Sequence, residues 1–172
     1  MMKDILNEIV SCKRIEVERM KEVLPERQIH AMVERLGDDR LPSLSAALMR
    51  SHTGIIAEFK RCSPSKGWIS EAARADVVPM EYQRNGASAV SILTDEAFFG
   101  GADRFVKEAR ESGVVLPILY KNFIVDEYQL FQARLCGASA VLLIASVLDM
   151  QECRRLMAVA RELGMEVLLE LH

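Results

Sequence analysis

From Gly54 onward this chain alternates short apolar runs with amphipathic stretches, the pattern of consecutive strand-helix units that feed a parallel sheet. The pattern predicts strands at 55–60, 89–94, 117–121, 140–144 and 167–171, with helices between them at about 76–85, 103–112, 126–136 and 149–163. Asp103, Asp126 and Asp149 stand where each can cap a first helical turn. Gly86, Gly113, Gly137 and Gly164 each follow a helix, where a left-handed residue is needed.

Successive strands start roughly 23 to 34 residues apart, so eight such units need about 250 residues, the usual size of a (β/α)8 barrel. Five are present in these 172 residues. The expected fold is therefore α/β, a (β/α)8 TIM barrel truncated after the fifth strand, over 54–172. Residues 1–53 read as an N-terminal helical extension. Ile5, Ile9 and Cys12 recur at helical spacing among Lys and Glu, and Pro25 opens a second helix that buries Ile29, Met32, Val33 and Leu36 before Gly37. A third helix starts at Pro42-Ser43 with Leu44 and Leu48 on one face. Met20, Met32, Met49, Met150 and Met157 read as core filler on helical faces.

Half of the residues are apolar, enough for a real core, and the net charge of -3 offers no bulk attraction to nucleic acid or to an anionic membrane. An anionic substrate must then be held by local positive groups. No secretory signal or spanning segment is legible, so a cytoplasmic protein is expected. Cys12, Cys62, Cys136 and Cys153 are scattered, and His30, His52 and His172 lie near none of them in sequence, so no metal site is expected.

The chemistry concentrates at strand ends. Glu58 and Lys60 are two apart, so in a strand they project to one side, and a purely structural strand buried on both faces would be apolar throughout. Lys121 and Glu170 end the third and fifth strands in the same way. One layer of a barrel takes its side chains from alternate strands, so these four groups can converge on one cavity as general acids and bases. The plain alternative is a structural ion pair and two solvated strand ends. Ser63-Pro64-Ser65-Lys66-Gly67 offers hydroxyls, amides and a cation to an anion, or is simply a turn. Phe98-Phe99 before flexible Gly100-Gly101 can form a lid on an aromatic ligand, or pack on the barrel rim.

The run Ile55-Ile56-Ala57-Glu58-Phe59-Lys60-Arg61-Cys62-Ser63-Pro64-Ser65-Lys66-Gly67 resembles the first-strand signature of the indole-3-glycerol-phosphate synthases of tryptophan biosynthesis. Ser91-Ile92-Leu93-Thr94-Asp95-Glu96 with Phe98-Phe99-Gly100-Gly101 is similar to that family's second strand and loop. Pro117-Ile118-Leu119-Tyr120-Lys121-Asn122-Phe123 resembles its third strand, Val141-Leu142-Leu143-Ile144 its fourth, and Glu166 to His172 its fifth. The resemblance implies a carboxy-lyase converting phosphorylated 1-(2-carboxyphenylamino)-1-deoxyribulose 5-phosphate to indole-3-glycerol phosphate, carbon dioxide and water, with no cofactor. It implies Lys121 as general acid at the carbonyl oxygen and Glu170 as base or acid in dehydration. Lys60 would bind the anionic substrate, Glu58 would meet the anilino nitrogen and the lysines, Ser63 would contact substrate, and Phe99 and Phe123 would pack on it. Asn122 stands where the family usually has Asp, which removes a negative charge beside Lys121. Two other readings stay open: an inactive barrel fragment whose edge strands need a complementary segment or self-association, and a Schiff-base aldolase using Lys121.

Overall fold

The computed structural model describes residues 2–37 and 40–171. His172 lies outside the described residues. Three helices come first: α1 (Met2–Val23), α2 (Glu26–Glu34) and α3 (Leu44–Arg50). There follow β1 (Ile56–Phe59), a small hairpin of β2 (Cys62–Ser63) and β3 (Gly67–Trp68), α4 (Val78–Arg84), β4 (Ala89–Leu93), α5 (Glu96–Phe99) and α6 (Arg104–Glu111). The remainder is β5 (Ile118–Lys121), α7 (Tyr128–Cys136), β6 (Ala140–Ile144), α8 (Met150–Glu162) and β7 (Glu166–Glu170). All five predicted strands and all four predicted helices between them are present. The hairpin and α5 are additions that period-based reading passes over, because each is too short to show a period.

Strands β1, β4, β5, β6 and β7 form one parallel sheet in that spatial order, and the sheet does not close. The edges are β1 and β7. The two faces are distinct, as the two-residue period of a strand requires. Phe59, Val90, Ile92, Ile118, Tyr120, Val141 and Leu143 point to the helices and join Phe105, Leu130 and Leu156 in the larger core. Ala89, Leu119, Ala140, Leu142 and Ile144 line the opposite, inner face.

Leu44 and Leu48 of α3 pack on that inner face. Ser43 caps α3 by accepting the Ala46 amide at 3.1 Å, and the Ser43 and Ser45 hydroxyls donate to the Glu166 carboxylate at 2.6 and 2.8 Å. Helix α3 is thereby tied to the start of β7, at the amino end of the sheet. Ile29 of α2 is fully buried with Val17, Val125 and Tyr128, and the Tyr128 hydroxyl donates to the Leu24 carbonyl beyond the end of α1 at 2.8 Å.

Several local expectations are corrected. Cys12 is exposed, and the buried stripe of α1 runs instead through Ile9, Lys13 and Val17, one turn apart. Met32, Met49 and Met150 are exposed rather than core filler, because those stretches turn another face inward. Asp149 forms a full capping box with Glu152, and Asp126 accepts the Tyr128 amide at 2.8 Å. Asp103 caps nothing; its carboxylate accepts the Tyr120 hydroxyl at 2.6 Å instead. Gly86, Gly113, Gly137 and Gly164 all take positive φ, as their positions after helices demand.

One half-buried cation ties two connections together. Arg110 of α6 donates from Nε to the Gly137 carbonyl at 2.9 Å, from Nη1 to those of Val114 and Leu116 at 2.9 and 2.7 Å, and from Nη2 to Ser139 Oγ at 2.9 Å. Burial pushes its guanidinium down to about 10.

Candidate active site

Glu58 lies on the inner face of β1, opposite Ser91 of β4, which pairs in turn with Leu119 of β5. Lys121 is two residues beyond Leu119, so it shares that face at the carboxyl end of the sheet. The Glu58 carboxylate takes both lysines at once. Lys60 Nζ lies 2.7 Å from Oε1 and Lys121 Nζ 2.8 Å from Oε2, each side chain about a third exposed. Glu170 is half-buried at the end of β7, in register with Ile144, and so shares the inner face as well.

Burial alone would raise the Glu58 carboxyl, but hydrogen bonds and charge from Lys121 and Lys60 outweigh it and hold the group below its ordinary value of 4.5. A carboxyl depressed in the folded state adds stability that is fully present above about pH 4.5 and lost as pH falls through the depressed value. Glu58→Gln should therefore flatten the acid limb of stability. Urea midpoints compared between about pH 3 and pH 6 check it, and an unchanged acid slope would contradict the arrangement.

The aromatic groups come from neighbouring loops. Phe99 ends α5 and Phe123 follows Lys121 by two, and their rings lie 5.9 Å apart at a tilt of 34°. Gly100 and Gly101 both stand at close approaches. Gly100 terminates α5 at φ 59°, and a Cβ there would lie 2.8 Å from the Trp68 ring. A Cβ on buried Gly101 would lie 2.4 Å from the Leu93 carbonyl oxygen, so the loop packs directly on the end of β4. Gly101→Ala should cost about 1–3 kcal/mol, read as a shift in unfolding midpoint, because backbone rather than a side-chain tip must move.

Ser63 is buried in the β2–β3 hairpin, its carbonyl accepting the Lys66 amide at 3.2 Å, while Lys66 itself is exposed. Asn122 does not face Lys121. Its side chain is buried on the other side of the strand, donating to Thr94 Oγ1 at 2.9 Å and to the Tyr120 hydroxyl at 3.3 Å. The residue after Lys121 thus belongs to a different environment, as alternation along an extended chain requires.

Sequence reasoning passed over two groups. Ser91, directly beside Glu58 in register, is buried and its hydroxyl has no hydrogen-bond partner among the described residues. Lys13 is buried and paired with Asp95 at 2.9 Å. The signal for Lys13 was its four-residue spacing from Ile9 and Val17, which places it on the apolar stripe.

Among the described residues no group of three or more His, Cys, Asp and Glu side chains could hold a metal ion, and no helix is long and apolar enough to cross a membrane. Two lysines on one carboxylate place proton-transferring groups side by side at the carboxyl end of the sheet.

A family model described as indole-3-glycerol phosphate synthase matches residues 6–172. The chain is 50% identical over 171 residues to a protein of that name from Bacteroides thetaiotaomicron, covering 99% of this chain and 65% of the other. It is 44% identical over 173 residues to one from Neisseria meningitidis, covering 99% and 66%, and 41% identical over 172 residues to one from Carboxydothermus hydrogenoformans, covering 97% and 65%. The chain thus spans about 65% of the length of the curated relatives it matches.

Proposed function

The chain belongs to the indole-3-glycerol phosphate synthase family, and we propose that it carries the acid-base half of that enzyme's site, converting 1-(2-carboxyphenylamino)-1-deoxyribulose 5-phosphate to indole-3-glycerol phosphate in cytoplasmic tryptophan biosynthesis. The observation that carries the reading is one carboxylate shared by two lysines at the carboxyl end of a parallel sheet. Lys60 holds the anionic substrate, and Lys121 gives a proton to the carbonyl oxygen as the ring carbon attacks. Carbon dioxide then leaves and restores the aromatic ring. Glu170 moves the protons of the dehydration that follows. Glu58 pairs with both lysines and meets the anilino nitrogen, Ser63 contacts the substrate, and Phe99 and Phe123 pack on it. These roles call for no metal or organic cofactor.

The five strands are the first five of an eight-stranded barrel in this reading, with residues 1–53 as the extension before it and 54–172 as the partial barrel. A second reading follows from the open sheet. Its edges at β1 and β7 leave Ile55, Leu168 and Leu169 exposed, and unpaired edges invite strand addition by a complementary barrel segment or a second copy.

The test is appearance of indole fluorescence on adding substrate to this chain and to the same chain joined to the C-terminal third of the Bacteroides relative. The joined protein should turn over. The unjoined chain should be slower by on the order of 100-fold, the scale set by misplaced binding groups. Full activity of the unjoined chain would refute the need for completion, and an inactive, folded joined protein would refute the assignment.

A further inference from the structure

We propose that Lys13 is a positioning residue, holding Asp95 and through it the short helix that sets Phe99 against Phe123. The proposal rests on the reading that these two rings flank the substrate. Lys13 is 2% exposed and Asp95 1%. A lysine and an aspartate so deeply buried are costly unless paired, and here they meet at 2.9 Å. Asp95 faces two ways. One carboxylate oxygen meets Lys13, and the other accepts the Phe98 amide at 2.8 Å, capping α5. The Asp95 carbonyl accepts the Gly101 amide at 2.7 Å, so one residue closes both ends of the segment that presents Phe99.

Lys13 reaches Asp95 from outside the sheet. It also holds Glu16 at 2.6 Å, and Asp103, hydrogen-bonded to Tyr120, borders the same cavity of about 180 Å³. With Asn122 neutral, Lys13 is the cation among Glu16, Asp95 and Asp103. Burial works against its charge, yet Asp95 and Glu16 together raise its pKa above the ordinary lysine value. Helix α1 is thereby coupled to the aromatic wall by charge and not only by apolar packing.

Trp68, the one tryptophan of the chain, lies against Gly100 at the end of α5 and reports on that segment without turnover. Lys13→Met should raise the acrylamide quenching constant of Trp68 about twofold and lower exchange protection of the Phe98 amide about tenfold, within the native baseline. Lys13→Arg should restore both. In the joined enzyme Lys13→Met should raise KM several-fold with a smaller change in kcat. A purely structural role would lower the unfolding midpoint and leave native-state quenching and Phe98 protection unchanged, and that result would overturn the proposal. Should Lys13→Met not fold, the neutral pair Lys13→Met with Asp95→Asn keeps the cap without a stranded charge. Wild-type quenching and protection in that variant would overturn the proposal equally. Absence of ring-closing activity in every variant would sink the functional reading alone, leaving Lys13 to be judged on Trp68 and Phe98.

Discussion

Lys121→Ala in the joined enzyme is expected to lower kcat by about 10²- to 10⁴-fold, the range typical of losing a positioned general acid, while KM changes far less. The reason for the split lies in the ion pairing. Glu58 keeps Lys60 at 2.7 Å when Lys121 is removed, so the carboxylate is not left unpaired. The Lys121 side chain is 35% exposed, so its pairing should be worth no more than about 1 kcal/mol of stability. Large loss of turnover with nearly unchanged stability is the signature of chemistry rather than scaffolding. Lys121→Arg should not rescue it, because a guanidinium keeps the charge but does not release its proton in the accessible pH range. Single-turnover kinetics on folded variants check both statements. A Lys121→Ala enzyme with undiminished kcat would remove Lys121 from the mechanism. Borohydride trapping of Lys121 with the substrate carbonyl would favour the aldolase reading instead.

Arg110→Ala should cost about 2–3 kcal/mol, because one half-buried fork of donors is lost from four acceptors. The guanidinium donates to three carbonyls and a serine hydroxyl, drawn from the loop between α6 and β5 and from the turn between α7 and β6. Removing it takes the donor from acceptors at two chain connections at once. Lysine should recover only part of the loss, since one ammonium cannot reproduce the planar geometry. At ~2–4 °C per kcal/mol for a chain of this size, the midpoint should fall by roughly 10 °C. Arg104→Ala is the control: Arg104 pairs with Glu108 at 2.9 Å on the exposed face of the same helix and should matter by less than about 1 kcal/mol. Equal effects of the two substitutions would contradict this account.

The strand positions were legible because short continuous apolar runs and the glycines after each helix agree with one another. The charged strand ends were legible for a different reason, since a carboxylate and two lysines have no place in a strand buried on both faces. Met32, Met49 and Met150 were not legible, because a flexible apolar side chain fits either face of an amphipathic helix and only the neighbours decide. Asp103 looked like a cap by position, but the Tyr120 hydroxyl claims its carboxylate. The short helix α5 and the β2–β3 hairpin fall below the length at which a period can be seen.

The amino-acid sequence by itself determined the order of strands and helices, the parallel character of the sheet, the family, and which charged groups stand at strand ends. These follow from local periodicity and from motifs along the chain. Only the tertiary structure decided which charges meet. It put Lys60 and Lys121 on one carboxylate, turned Asn122 away from Lys121, and buried Lys13 against Asp95. The physical reason is that pairing of charges distant in sequence depends on how helices and sheet pack in space, and a lysine on a helix reads the same whether that packing leaves it in water or buries it on a partner.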